Sequence, residues 1–188
     1  MEVLTIIYLV YAFISLYFLF LFLLVYMQNK KEMLYYPKPI RAYSLSIVVP
    51  CYNEEDTIEA TVKSLMASDY RGLKKIYVVD DCSTDRSYEI IKQLSKRYPD
   101  VVALQTPKNT GRAANAKNYG AKFAKTELIG FTDADSFPEK DALSKAVGFF
   151  NDQRVAGVTA LILSKNRKNA IEKLQSLEYK VIAFTRKL

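Results

Sequence analysis

The chain has 188 residues, half of them hydrophobic, with 27 Lys and Arg against 20 Asp and Glu, a formal net charge of +7, two Cys and no His. That length holds one domain of ordinary size plus a short extra element. The absence of histidine excludes a histidine base and any metal site built on histidine. The basic residues are dispersed, with no recognition helix or basic–aromatic motif, so the excess charge points to anionic lipid or phosphorylated small molecules rather than to nucleic acid.

Val3 to Met27 carries no charge and is almost wholly apolar or aromatic. The run predicts a transmembrane helix over 3–27, long enough to cross a hydrocarbon core of roughly 30 Å. A cleaved signal peptide fits less well: the stretch exceeds an h-region, Glu2 precedes it in place of a basic residue, and no small-x-small site follows. Lys30, Lys31, Lys38 and Arg41 lie just after the span, so the positive-inside rule predicts a single-pass protein of the cell membrane with everything beyond Met27 cytoplasmic. Residues 28–43, with Pro37 and Pro39, read as a basic juxtamembrane linker.

From Leu45 the pattern alternates. Ser46–Val49 is a β-branched strand closed by Pro50. Ile58, Val62, Leu65 and Met66 mark one face of a helix. Ile76–Val79 is a second strand. A second helix starts near Ser83 or Thr84 and buries Tyr88, Ile91, Leu94 and Tyr98. Val101–Leu104 is a third strand, Gly111–Phe123 a helix and Leu128–Thr132 a fourth strand. Pro138 opens a helix running to about Phe150, Val155–Leu163 is a further strand, and Asn169 to the end is helical. Strands alternating with helices predict an α/β fold with a mainly parallel sheet.

Two of these strands run into carboxylate pairs, Asp80-Asp81 and Asp133-Ala134-Asp135. The carboxyl ends of parallel strands form the ligand crevice of an open sheet. Acidic groups crowded there need a cation or hydrogen-bond donors. A divalent metal carrying phosphate suits one pair, and a nucleobase or ribose, rich in N–H and O–H donors, suits the other. Each pair can also be read as a plain helix cap. The end of the first strand, Pro50-Cys51-Tyr52-Asn53-Glu54-Glu55, contains no glycine, which argues against a dinucleotide fold. Gly111-Arg112, a glycine and a cation entering a helix, suits a phosphate or is a solvated loop. Cys51 and Cys82 each follow a strand and are expected near one another as free thiols.

Together these segments resemble glycosyltransferase family 2. Ser46-Ile47-Val48-Val49-Pro50-Cys51-Tyr52-Asn53-Glu54-Glu55 is similar to its opening strand, and Val78-Val79-Asp80-Asp81-Cys82-Ser83-Thr84-Asp85 to its second signature. Asn109 to Gly120, with Gly111, Arg112, Ala116, Asn118 and Gly120, resembles its third, and Asp133-Ala134-Asp135 its metal-binding Asp-x-Asp. Four ordered motifs over about Leu45 to Gly157 make this a specific resemblance. It implies a GT-A fold, a nucleotide-sugar donor more often UDP- than GDP-linked, Mg²⁺ or Mn²⁺, and inverting transfer. By matching position, Pro50, Tyr52 and Glu54 would line the base pocket. Asp81 would accept a hydrogen bond from the base, with Asp80 in support. Arg112, where the family often has Lys, would face the diphosphate or sugar. Asn118 falls in the same donor-binding motif. Asp133 would contact the ribose or metal, and Asp135 would ligate the metal.

Gly157-Val158-Thr159-Ala160, Asn169 to Tyr179 and Arg186 resemble the processive polysaccharide synthases of the cellulose, chitin and poly-N-acetylglucosamine types. Their Thr-Glu-Asp motif, which supplies the general base, and their Gln-x-x-Arg-Trp motif have no counterpart in these residues, and the chain contains no Trp. The expectation is therefore a donor-binding half over 44–188, incomplete at its C-terminus and lacking an identified catalytic base. Such a chain would be a weak transferase alone, or depend on a partner chain for the acceptor half. Two rival readings stand beside it: a complete small transferase acting on a polyprenyl phosphate, and a non-catalytic nucleotide-sugar-binding protein. A phosphoacceptor receiver domain fits worst, because the acidic pair follows the second strand.

Overall fold

A computed structural model describes residues 2–31, 35–109, 111–164 and 169–187. Residues 32–34 of the expected linker, Thr110 of the third motif and the terminal Leu188 lie outside the described residues. The chain divides into two compact units, Pro37–Val158 and a second comprising Met1–Tyr36 with Thr159–Leu188.

In the second unit, α1 (Glu2–Asn29) is an unbroken helix with no buried residue. By length and composition it can cross a membrane, and it has that property alone among the described helices. The other helix of this unit, α6 (Ala170–Lys187), begins in a reciprocal cap. The Glu172 amide donates to Asn169 Oδ1 at 2.8 Å and Asn169 Nδ2 donates to Glu172 Oε1 at 3.1 Å.

The unit Pro37–Val158 is built on four parallel strands, β1 (Leu45–Cys51), β2 (Leu73–Asp80), β3 (Val101–Gln105) and β4 (Leu128–Phe131), in the order β3-β2-β1-β4. Every residue of β1 is buried, as the central run of apolar residues demands. Its residues alternate between two layers. Ile47, Val49 and Cys51 join Ile76 and Val78 under α2 (Ile58–Met66) and α3 (Ser87–Arg97), whose Ile58, Val62, Leu65, Ile91 and Leu94 complete the main core. Val48 and Val79 face the other way, against Ala116 and Tyr119 of α4 (Ala113–Ala121). Each fully buried Ile, Leu or Val contributes about 1.5–3 kcal/mol.

Several elements differ from the sequence expectation. β1 continues through Pro50 to Cys51, because Pro50 sits at the strand end where its missing N–H leaves the ladder intact. α3 begins at Ser87 rather than at Ser83 or Thr84, since both of those residues bind Asn53 across the sheet end: Asn53 N donates to Ser83 Oγ at 3.0 Å and Thr84 N to Asn53 Oδ1 at 2.8 Å. The buried face of α3 is accordingly Ser87, Ile91 and Leu94 with Tyr98 packed alongside, while Tyr88 is half-buried with Lys92 over its ring. The expected helix from Pro138 shortens to α5 (Ala142–Val147) plus a 3₁₀ turn at Gly148–Asn151. The carbonyl of Lys140 is taken by the amide of Asp69 at 3.0 Å, which holds 138–141 in a turn. No strand forms over Val155–Leu163. The alternation there is apolar, but Leu161, Ile162 and Leu163 are exposed and meet no ladder partner.

Residues 37–43, the end of the expected linker, pack into the sheet unit. Ile40 N donates to Asn151 Oδ1 at 3.1 Å, Asn151 Nδ2 donates to the Lys38 carbonyl at 2.8 Å, and the Tyr70 hydroxyl donates to the Tyr43 carbonyl at 2.7 Å. At the entry to β4, Glu127 takes an ion pair from Arg41 at 2.7 Å and hydrogen bonds from the Ser44 amide and hydroxyl at 2.9 and 3.1 Å. The Arg41 hydrogen bond, helped by those from Ser44, lowers the Glu127 carboxyl from its ordinary 4.5 to about 2. A carboxyl held this low adds stability above its unfolded value, lost as pH falls toward the folded one. Glu127→Gln is expected to lower the melting temperature modestly at pH 6 and by progressively less between pH 4.5 and 3, followed by thermal unfolding of both proteins. An unchanging difference would show that the carboxylate contributes nothing.

Candidate functional site

The strand order places β2 and β3 on one side of β1 and β4 on the other. The chain therefore reverses direction across the sheet between β1 and β4, and loops diverge there at the carboxyl ends of the strands. A cavity of about 510 Å³ opens at that point. The end of β1 and its loop supply Pro50, Cys51, Tyr52 and Glu54, the residue after β2 is Asp81, and the segment after β4 gives Asp133, Ala134 and Asp135. The approach to α4 closes the cavity with Asn109, Gly111, Arg112, Ala113 and Ala116.

The loops after β1 and β2 are laced together. Besides the Asn53 bonds, the Glu54 amide donates to Ser87 Oγ at 2.8 Å and the Glu55 amide to Asp85 Oδ2 at 3.1 Å, while Glu55 Oε2 accepts from the Arg86 amide and Nε at 3.0 and 3.2 Å. Asn53 and Cys82 both adopt positive φ, 54° and 58°, a conformation costly for non-glycine residues and held here by this lacing. Thr57 Oγ1 donates to Glu54 Oε2 at 2.7 Å and so orients that carboxylate.

Asp80 is fully buried and lies outside the cavity lining; its carboxylate accepts from Gln105 Nε2 at 2.9 Å and from the Ser83 amide. Asp81 is 5% exposed and accepts from Thr106 Oγ1 at 2.7 Å. The Ala134 carbonyl, between the exposed Asp133 and Asp135, accepts from the buried Thr61 hydroxyl at 2.7 Å. Asp133 pairs with Lys117 of α4 at 3.0 Å. Gly111, at φ +64°, makes the left-handed turn into α4 that a side chain would strain, and its amide donates to Asn109 Oδ1 at 2.7 Å. Arg112 is exposed at the N-terminal end of α4, where backbone N–H groups and the helix dipole add to its charge.

Of the residues singled out in the sequence, the fold brings Pro50, Tyr52, Glu54, Asp81, Arg112, Asp133 and Asp135 to one cavity. Asn118 is exposed on α4, outside that lining. Thr61, Gln105, Thr106 and Lys117 were not singled out; each acts on a carboxylate or carbonyl distant in sequence, a relation that spacing does not carry. Cys51 lines the cavity with its thiol pushed up to about 12, chiefly by burial, so it is a protonated, unreactive wall. Cys82 Sγ donates to the Thr106 carbonyl at 3.3 Å, and both cysteines are free.

Among the described residues lining this cavity, Glu54, Asp81, Asp133 and Asp135 outnumber Arg112, and Lys117 offsets only Asp133, a balance that favours a further cation. Among the described residues no group of three His, Cys, Asp or Glu stands ready to hold a metal. Two hard carboxylates, Asp133 and Asp135, suit an ion such as Mg²⁺ or Mn²⁺, which usually takes one or two carboxylates and completes its shell with water and substrate phosphates. Thr61→Val removes the hydroxyl that holds the Ala134 carbonyl between them. It is expected to cost about 1–3 kcal/mol in denaturant titration and to weaken Mn²⁺ binding; unchanged stability would mean the carbonyl finds another donor.

The family model for glycosyl transferase family 2 matches residues 46–188. The chain belongs to glycosyltransferase family 2. It is 31% identical over 166 residues to a poly-beta-1,6-N-acetyl-D-glucosamine synthase of Staphylococcus aureus, which covers 88% of this chain and 39% of that protein. It is 36% identical over 115 residues to a poly(ribitol-phosphate) beta-glucosyltransferase of Bacillus spizizenii, covering 58% of this chain and 18% of that one. Among solved structures it is similar to a mannosyltransferase from Pyrobaculum calidifontis in complex with GDP-Man and Mn²⁺, with a TM-score of 0.60 and 29% identity over 71% of this chain and 41% of that one. It also resembles S. aureus TarS in complex with UDP, with a TM-score of 0.53 and 26% identity over 65% of this chain and 40% of that one. This family 2 glycosyltransferase thus has the mainly parallel GT-A sheet with flanking helices, and spans well under half the length of these relatives.

Proposed function

We propose that this chain binds the nucleoside diphosphate of a sugar donor together with Mg²⁺ or Mn²⁺, as the donor half of an inverting transferase. In this reading α1 anchors it in a membrane, the sheet unit works on the cytoplasmic side, and the acceptor is a growing polysaccharide or a lipid. The observation that carries the reading is the meeting, at the β1/β4 reversal, of four carboxylates with Arg112 and the N-terminal end of α4. Pro50, Tyr52 and Glu54 form the wall against the base, Asp81 accepts a hydrogen bond from the base, and Asp80 supports it from below. Arg112 and the amides entering α4 face the diphosphate. Asp135, with Asp133, would hold the metal, which when bound offsets charge on the departing diphosphate. Asn118, outside the cavity, has no contact with the donor in this arrangement.

A proton must also leave an acceptor hydroxyl. In this reading every carboxylate lining the cavity serves the donor, so acceptor chemistry belongs to residues outside it. Among the structural relatives, UDP and GDP-Man both occur as ligands, and we propose UDP here. Calorimetric titration of the 188-residue chain in detergent with UDP, GDP and CDP, with and without Mn²⁺, tests the reading. Metal-dependent binding of one diphosphate is the expected result. No binding by the folded protein would overturn it.

A further inference from the structure

Gln105, the last residue of β3, and Thr106 just after it each hold one carboxylate of the acidic pair that closes β2: Gln105 Nε2 reaches Asp80 at 2.9 Å and Thr106 Oγ1 reaches Asp81 at 2.7 Å. Only one of those carboxylates, Asp81, lines the cavity. We infer that Thr106 is the positioning residue for nucleobase recognition, fixing the plane of the Asp81 carboxylate from behind while itself touching no ligand. The inference rests on the proposed donor site.

The geometry around Thr106 supports this. It is 4% exposed and does not line the cavity. Its amide donates to the Asp80 carbonyl at 2.9 Å and its carbonyl accepts from Cys82 Sγ at 3.3 Å, so its backbone is fixed to the residues on both sides of Asp81. Its hydroxyl has one proton and three oxygen acceptors within reach, at 2.7 Å on Asp81 Oδ1, 3.1 Å on the Lys108 carbonyl and 3.5 Å on the Asp80 carbonyl, with Cys82 Sγ at 3.8 Å. The shortest contact, to a charged acceptor, takes the proton, since a charged acceptor forms the stronger hydrogen bond. Cys82, at φ 58°, closes the same turn. A donor on one oxygen of the buried Asp81 carboxylate favours a single orientation toward a planar base, and a neutral hydroxyl does so without supplying a competing charge.

The consequence is selective. Thr106 acts on the base end of the cavity, whereas the diphosphate end is built from Arg112, the entry to α4 and Asp133–Asp135. Removing the hydroxyl should therefore weaken a nucleoside diphosphate and leave inorganic pyrophosphate unaffected. The test is calorimetric titration of the full chain in detergent, in the presence of Mn²⁺, with UDP and GDP on one side and pyrophosphate on the other. Wild type, Thr106→Val, Thr106→Ala and Thr106→Ser are compared, and Thr106→Ala keeps the test open if the valine variant does not fold. Loss of this hydrogen bond is expected to weaken the bound nucleotide roughly tenfold in the Val and Ala variants. Pyrophosphate affinity should stay within about twofold, and the serine variant should bind like wild type. Because both ligands are titrated into one preparation, a misfolded fraction lowers stoichiometry for both and leaves the ratio of affinities untouched. Equal weakening of nucleotide and pyrophosphate, or wild-type nucleotide affinity in the Val and Ala variants, would overturn the inference while leaving the donor site standing. Failure of wild type to bind either nucleotide would remove the donor-site reading, and the inference with it.

Discussion

Asp135→Ala is expected to weaken Mn²⁺-dependent binding of a nucleoside diphosphate by at least about 100-fold, more than loss of an outer-shell partner usually costs. Asp135 is exposed beside the cavity and carries no salt bridge among the described residues, whereas Asp133 shares its Oδ1 with Lys117 at 3.0 Å. The two carboxylates are therefore unequal. A metal approaching Asp133 competes with an ammonium already in contact, while one approaching Asp135 does not. Asp133→Ala should consequently cost less, about tenfold, and should also release Lys117 toward the phosphates. Parallel calorimetry of the two variants with UDP and Mn²⁺ checks the order. An Asp133 variant weaker than the Asp135 variant would place the ion on the other carboxylate, and the metal role assigned to Asp135 would fall.

Gly148→Ala should have the largest effect on stability of any single methyl group in the sheet unit. The backbone of Gly148 is ordinary in conformation, so the demand for glycine comes from close approach: a Cβ there would lie 1.6 Å from the Pro37 carbonyl oxygen and 2.6 Å from its carbon. The neighbour is backbone and cannot rotate aside. Either the 3₁₀ turn at Gly148–Asn151 or the segment from Pro37 must move, and moving either breaks the Asn151 bonds to Ile40 and Lys38 and the 3.2 Å bond from the Tyr43 hydroxyl to the Phe150 carbonyl. Overpacking of this kind costs about 1–3 kcal/mol, and the lost hydrogen bonds place this case at the upper end. Denaturant titration measures the loss, and amide hydrogen exchange locates it: Ile40 should exchange at least tenfold faster, while the β1 amides lose only the protection that the global destabilisation accounts for. Unaltered exchange at Ile40 would show that segment 37–43 does not depend on this contact.

Much of the fold was legible in the residues because it follows from short-range periodicity. The β-branched runs at 46–49 and 76–79 have no stable place except a buried parallel sheet, and helical spacing of Ile58, Val62 and Leu65 names the face that covers it. The misreadings share a cause. Ser83 and Thr84 are good helix caps by type, yet the loop after β1 uses them, so α3 starts only at Ser87. Pro138 is a good first helical residue, yet the Lys140 carbonyl is bound by Asp69, and the helix waits until Ala142. Val155–Leu163 has strand-like composition but no ladder partner. In each case a contact far along the chain outweighed a local preference worth about 1 kcal/mol.

The same division runs through the site. The sequence by itself determined the chemistry: acidic pairs at strand ends, a glycine and arginine entering a helix, no histidine, and an N-terminal apolar run long enough to cross a membrane. These are properties of residue type and spacing, and they led to the right family. The tertiary structure decided which of those groups meet. It buried Asp80 and left Asp81 at the cavity, placed Asn118 outside, paired Asp133 with Lys117, and set Thr61 and Thr106 behind the carbonyl and carboxylate they hold. Hydrogen bonds across separations of 25 and 73 residues depend on strand order and register, and those are fixed by packing of the whole sheet, which no local pattern contains.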